Sequence, residues 1–184
     1  MTNAFIFLII GRSGVGKSSV VDALCERYGH AAVQSYTTRP PRNPEEKGHI
    51  FVTKCAFDDM KSELCAYTKY DNFEYGVTNQ QIEDSDLYII DTAGVTYFSE
   101  HYTGSKIPVV IFLYADREAL IKRLQSRGHT DEEIKARVTQ DNKSFSPEAI
   151  SGLPIPYNTF LNYNLDETVD RIEQFIKLHE RKEE

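Results

Sequence analysis

Residues Ala4 to Ser19 read AFIFLIIGRSGVGKSS. The run Ala4–Ile10 is apolar at every position, as a strand buried on both faces reads, and it stops at a glycine-rich turn. Gly11, Arg12, Ser13, Gly14, Val15, Gly16, Lys17 and Ser18 fill the pattern G-x-x-x-x-G-K-[ST], with Ser19 next. Glycines let successive backbone N–H groups turn inward as an anion nest, and the helix that follows aims its N-terminus at the same point. Lys17 supplies a point charge for terminal phosphates, and the Ser18 hydroxyl a ligand for Mg2+. Val20, Val21 and Leu24, at helical spacing, complete a strand–loop–helix unit. A nucleotide phosphate cradle is expected, against the plainer reading of a glycine turn.

The rest of the chain sets bounds on what surrounds this loop. Its 184 residues suit one domain with a proper core, and 40% hydrophobic with 27% charged residues is an ordinary globular balance. No apolar run approaches the roughly 18 residues that span a membrane. The apolar start lacks the basic leading region of a secretion signal, so a cytoplasmic protein without membrane contact is expected. A net charge of −7 argues against a general nucleic-acid binder, whose phosphate contacts need a basic surface. A local arginine cluster still serves a small anion. Cys25, Cys55 and Cys65 show no C-x-x-C spacing and are expected as reduced thiols; the five histidines show no metal-ligand spacing. No feature sets an oligomeric state.

Strand and helix alternate along the chain. A helix is expected over Lys17–Tyr28, closed by Gly29, then a short strand over Ala32–Tyr36 and a proline-rich loop, TTRPPRNPEEKG. Further expectations are strands at Ile50–Val52, Leu64–Tyr70 and around Tyr75, a helix over Phe57–Glu63, an Asp71–Asn72 turn, and a helix capped by Thr78. Leu87–Ile90 and Val109–Tyr114 read as buried parallel strands, Glu118–Arg127 and Asp131–Lys143 as charged helices, and Ser144–Pro156 as irregular. A last strand over Thr159–Asn162 precedes a helix over Thr168–Lys182 with Val169, Ile172, Phe175, Ile176 and Leu178 on one face. The alternation predicts an α/β fold with a parallel sheet core flanked by helices. The segment from about 35 to 86 breaks the rhythm and reads as an inserted flap.

Phosphoryl transfer needs a second anion site facing the loop, and cations that follow the moving charge. Thr37-Thr38-Arg39-Pro40-Pro41-Arg42 offers two arginines on a proline-stiffened stretch, a bidentate clamp for phosphate or else a solvated basic turn. Arg123, Arg127 and Arg137 lie on the charged helical hairpin, where surface ion pairs compete with a role over a nucleotide. Asp91 stands at the carboxyl end of a strand, where ligands bind in open α/β sheets. Asp91-Thr92-Ala93-Gly94 also matches the D-x-x-G of GTPases, but Asn142-Lys143-Ser144-Phe145 lacks the aspartate of N-K-x-D. Tyr67, Tyr70, Phe73 and Tyr75 gather aromatics in the flap, by default for packing.

Taken together, the motifs resemble the guanylate kinase family, P-loop nucleoside monophosphate kinases, over nearly the whole chain. Ser35 to Arg42 is similar to the family's S-x-T-T-R-x-P-R, and Tyr75-Gly76-Val77-Thr78 to its Y-G-[ST]-[ST]. Ile89 to Gly94 stands where the family has D-I-D-x-Q-G, and Arg123 to Gly128 with Arg137 resembles its R-L-x-x-R-G…R lid. The resemblance implies a single domain over 1–184, with a nucleotide-binding core, an acceptor flap at about 35–86 and a helical lid at about 125–142. It implies ATP bound by Gly11 to Ser19, Mg2+ on Ser18, and Lys17, Arg42, Arg127 and Arg137 as the catalytic cations. Arg39, Arg42, His49 and Tyr75 would hold the acceptor phosphate, and Ser35 and Asp91 would face the base.

The chain departs from the family where guanine is read. The family's glutamate aligns with Ala66, its serine after Tyr-Gly with Val77 and its first aspartate with Ile89, while His49 replaces a phosphate-binding tyrosine. Glu74 is a candidate to substitute for the carboxylate missing at Ala66. Three readings stay open: a kinase of GMP, a same-fold kinase of another phosphorylated acceptor such as ribose 1,5-bisphosphate or another nucleotide, and a non-catalytic binding domain. The pentose bisphosphate kinases of phosphonate breakdown resemble this chain in Gly48-His49-Ile50 and Tyr75-Gly76-Val77. The intact Lys17 and Ser18 oppose the non-catalytic reading.

Overall fold

The computed structural model describes residues 4–70 and 72–181. The unbroken apolar run forms β1 (Phe5–Gly11), buried at every residue, and leads through the glycine loop to α1 (Lys17–Tyr28). Gly29 ends α1 at φ 79°, with its N–H on the Cys25 carbonyl. Then come β2 (Ser35–Thr37), β3 (His49–Phe51), α2 (Lys54–Asp59), β4 (Leu64–Tyr70), β5 (Phe73–Thr78) and α3 (Asn79–Glu83). The chain continues with β6 (Leu87–Ile89), α4 (Thr92–His101), β7 (Ile107–Tyr114), α5 (Arg117–Ser126) and α6 (Asp131–Ser144). It closes with α7 (Pro147–Ser151), β8 (Tyr157–Leu161) and α8 (Leu165–Glu180).

β1 lies inside a four-stranded parallel sheet of order β6-β1-β7-β8, with helices packed on both faces: the expected α/β fold around a phosphate loop. Successive β1 side chains serve opposite faces. Phe7 and Ile9 pack with Val20, Leu24, Ile172 and Ile176 of α1 and α8. Ile6, Leu8 and Ile10 pack with Val95 and Phe98 of α4 and with Ala66 and Val77 of a second sheet. That sheet, β3-β2-β5-β4, has β2 and β3 parallel and β5 antiparallel to β2 and β4. It occupies the segment where the alternation breaks, and its shared core holds it against one face of the first sheet.

Several local expectations need correction. The strand expected over Ala32–Tyr36 divides: Ala32 makes a single bridge to Leu87, while Ser35–Thr37 crosses to the second sheet. The helix expected over Phe57–Glu63 starts at Lys54, because Thr53 caps the Ala56 N–H, and ends at Asp59; Lys61–Glu63 is a separate 3-10 turn. Ser144–Pro156 is not wholly irregular, since Ser146 caps α7 and Pro147 opens it. α8 starts at Leu165, three residues before the expected Thr168, because Asn164 caps it by accepting from the Asp166 and Glu167 N–H groups. Leu178 is exposed rather than on the apolar face. Asp71 and Lys182 lie outside the described residues; Asn72, the other half of the expected turn, sits at φ 65°.

Candidate active site

The carboxyl end of β1 positions the glycine loop, and sterics dictate its composition. A Cβ on Gly11 would stand 2.6 Å from the Leu113 carbonyl oxygen. Gly16, at φ 100°, opens α1 without a side-chain cap, and a Cβ there would stand 2.7 Å from Asn162 Nδ2. The first α1 amides are thereby left for a ligand. Two residues distant in sequence brace the loop from behind. Arg123 donates to the Val15 carbonyl at 3.0 Å and the Asn162 carbonyl at 2.6 Å, and Asn162 Nδ2 donates to the Val15 carbonyl at 2.7 Å. Arg123, grouped with the lid arginines by sequence, is thus a brace.

Lys17 Nζ folds back to donate to the Gly11 carbonyl at 2.6 Å and the Arg12 carbonyl at 3.3 Å. Desolvation pulls its pKa down to about 8, against the opposing charges of Asp141 and Asp91. Arg12 donates to Asn142 Oδ1 at 3.1 Å and the Phe145 carbonyl at 3.3 Å, so it ties the end of α6 to the loop.

A cavity of about 310 Å3 opens in front of the loop. Gly11, Ser13 and Lys17 line it on one side, Ser35, His49 and Tyr75 on another, with Asp91 and Arg137 completing it. Ser35 Oγ and His49 Nδ1 are 2.8 Å apart, and burial, reinforced by the Arg39 and Arg42 charges, holds the imidazole below its usual pKa. Asp91 caps α4 through the Gly94 N–H at 2.6 Å and accepts from Thr68 Oγ1 at 2.9 Å. A second cavity of about 290 Å3, on the other side of the loop, is lined by Gly16, Ser19, Arg127, Asn162 and Tyr163. Ser18 is exposed on the first turn of α1.

The two clamp arginines do not line the cavity. Arg39 is paired to Glu46 through NH2–Oε1 at 2.7 Å and NH1–Oε2 at 3.2 Å, with its guanidinium 5.6 Å from the Phe51 ring centroid. The Arg42 N–H donates to Glu46 Oε2 at 2.6 Å, while its side chain stays 71% exposed. These contacts, the Arg39 pair foremost, bring the Glu46 pKa down to about 2. Arg39 Nε is buried without a hydrogen-bond partner, and the Tyr75 hydroxyl is among the groups that raise the guanidinium pKa.

Of the three aligned guanine-reading positions, Ile89 lines the cavity, while the other two do not. Ala66 and Val77 are fully buried in the core between the sheets. Glu74 does not substitute for them: its carboxylate joins Lys54, Lys61 at 2.8 Å and the Tyr67 hydroxyl at 2.9 Å, with its pKa down to about 2. Thr68 and Tyr88 line the cavity instead, and sequence reading passed over both, along with Glu46 and Asp141. For Asp141 a signal existed, because it stands four residues after Arg137 and so on the same helix face.

The sequence model of the guanylate kinase family matches residues 4–179. The chain belongs to the guanylate kinase family. A guanylate kinase of Onion yellows phytoplasma is 31% identical over 156 residues, 76% of this chain and 72% of that protein. A guanylate kinase of Mycoplasmoides gallisepticum is 28% identical over 183 residues, covering 93% of this chain and 91% of its own. The crystal structure of guanylate kinase from Anaplasma phagocytophilum superposes with a TM-score of 0.65 at 21% identity, over 98% of this chain and 88% of that one, a likeness of fold. Membership carries the enzyme class: a nucleotide-binding nucleoside monophosphate kinase, a transferase.

Proposed function

We propose that the protein transfers the γ-phosphoryl group of ATP to a nucleoside monophosphate, GMP in the first instance, within one domain made of core, flap (35–86) and lid (125–142). The observation that carries this reading is the pair of cavities meeting at one loop, with Lys17 and Arg137 on one side and Ser19 and Arg127 on the other. Gly11 to Ser19 hold the donor phosphates, and Arg127 closes over the nucleotide. Arg39, Arg42, His49 and Tyr75 grip the acceptor phosphate, and Ser35 and Asp91 face its ring. An acceptor phosphate oxygen attacks the γ-phosphorus in line as the bond to the β-phosphate bridging oxygen breaks, with no covalent enzyme intermediate. Lys17 and Arg137 follow the charge on the moving group.

The donor set fits a phosphate-borne Mg2+, which takes only one or two protein oxygens and completes its shell with phosphate and water. Among the described residues no three His, Cys, Asp or Glu side chains gather as a metal cage of their own. Ser18 would hold the ion, and its chemistry when bound is neutralisation of the β- and γ-oxygens. No helix among the described residues is long and apolar enough to cross a membrane.

A second reading, a different phosphorylated acceptor such as ribose 1,5-bisphosphate, is favoured by the burial of Ala66 and Val77. A pocket that reads guanine N1–H and its amine owes selectivity to acceptors placed against them. A coupled assay of ADP formation with GMP, dGMP, AMP, UMP, CMP, IMP and ribose 1,5-bisphosphate decides. Turnover highest with GMP is the expected result. No GMP turnover beside clear turnover of another acceptor overturns it, and tight MgATP binding with no turnover of any acceptor leaves the non-catalytic reading.

A further inference from the structure

Asp141 lies one turn beyond Arg137 on α6, and both side chains line the cavity in front of the loop. Its Oδ2 accepts the Ser13 N–H at 2.7 Å, and its Oδ1 stands 3.4 Å from Ser13 Oγ. Its charge is the strongest of those favouring the ammonium form of Lys17. The Ser13 amide belongs to the nest that offers N–H groups to phosphate, so a carboxylate of the chain itself is bonded where a substrate anion is to go. The placement has a physical reason. Without an anion the nest leaves an amide unbonded and a desolvated ammonium uncompensated; the Asp141 carboxylate bonds the amide and offsets the charge of the ammonium.

The geometry points to Asp141 as an internal counter-anion of the donor site, holding the Ser13 amide in the empty protein and yielding it to the phosphates of the donor nucleotide. The inference rests on the reading of Gly11 to Ser19 as the donor site. Two like charges cannot share one amide in a poorly solvated loop, so Asp141 subtracts from donor affinity. Arg137 rides on the same face of the same helix, so exchange of Asp141 for phosphate loosens one tie between the loop and the segment that carries Arg137, the Arg12 bonds to Asn142 and Phe145 being the other. Asp141 is therefore a positioning residue, acting through the loop and the lid helix.

The test is an equilibrium titration of ATP and of inorganic tripolyphosphate into the wild-type chain, Asp141→Asn and Asp141→Ala, with melting temperatures recorded alongside. Removing the charge is expected to tighten both ligands about tenfold, the scale of one charged hydrogen bond. The gain should shrink at high salt, as an electrostatic effect does and a packing effect does not. KM for ATP should fall with it while KM for the acceptor holds. Unchanged or weaker binding in both variants overturns the inference, as does a large fall in kcat at unchanged affinity. Failure of wild type and both variants to bind either ligand overturns the donor-site reading itself, and the inference with it.

Discussion

Desolvation outweighs the nearby carboxylates at Lys17 and brings its pKa down to about 8. Donor phosphates favour its charged form, so ATP binding should take up a proton once pH exceeds about 8, the value at which the free site loses it. Calorimetry in buffers of different ionisation enthalpy reads that uptake directly, and Lys17→Met should abolish it. kcat/KM for ATP should fall as pH rises through the same point. The stability sign is opposite: a lysine depressed in the folded state costs stability below its folded pKa, and the cost fades as pH rises toward the ordinary lysine value. Arg42 is the complementary case, an exposed side chain whose guanidinium stands 3.8 Å from Glu46. Arg42→Ala should lower kcat/KM for any phosphorylated acceptor about 10- to 100-fold, with KM for ATP unchanged; wild-type kinetics would remove Arg42 from the clamp. Both residues were legible from motif and spacing. Glu46 was not, because nothing local says which carboxylate of Pro44-Glu45-Glu46-Lys47 folds back onto Arg39.

At the scale of elements, the caps tell most about what sequence can show. Thr78 and Thr130 each sit three residues before a Gln or Glu, and both form full capping boxes, with Gln81 and with Glu133. Thr130→Ala should cost about 1 kcal/mol in thermal or urea unfolding and loosen the start of α6. The same variant should raise KM for ATP, since α6 carries Arg137; unaltered kinetics at that loss of stability would detach the lid helix from the donor site. The glycine loop obeys a sterner rule. Gly16→Ala places a Cβ against Asn162 at a left-handed φ, so ATP affinity should collapse even where the chain stays folded, as titration beside circular dichroism would show. Thr53 and Ser146 cap α2 and α7 without an obvious apolar period behind them, and Asn164 caps α8 a turn ahead of the first residue of its apolar period, Val169, which is why those helix starts were missed.

Across the whole molecule, His30 joins the end of α1 to β6 and α8: Nε2 is 2.7 Å from Glu173 Oε2 and Nδ1 is 3.8 Å from Asp86 Oδ2. Asp86 first, then Glu173, raise the imidazole pKa above 6.5, with Lys106 at 3.8 Å from Asp86 and Lys177 at 2.9 Å from Glu173 as competing cations. A raised histidine contributes stability that is fully present below its unfolded pKa and lost as pH rises through the folded one. The melting temperature should therefore fall as pH climbs above about 6.5, and His30→Gln should flatten that slope; a slope unchanged in the variant would assign it elsewhere. By itself the sequence determined the phosphate loop, the parallel sheet around it and the family, because each follows from local periodicity or from short patterns with one structural meaning. Only the tertiary structure decided that Ala66 and Val77 turn into the core, that Glu74 serves an ion cluster, and that Arg123 braces the loop. Only it brought Asp141 onto the Ser13 amide, 128 positions away in the chain. The reason is physical: a strand's two faces and a carboxylate's partner are chosen by what packs against them, and that is set by distant segments meeting.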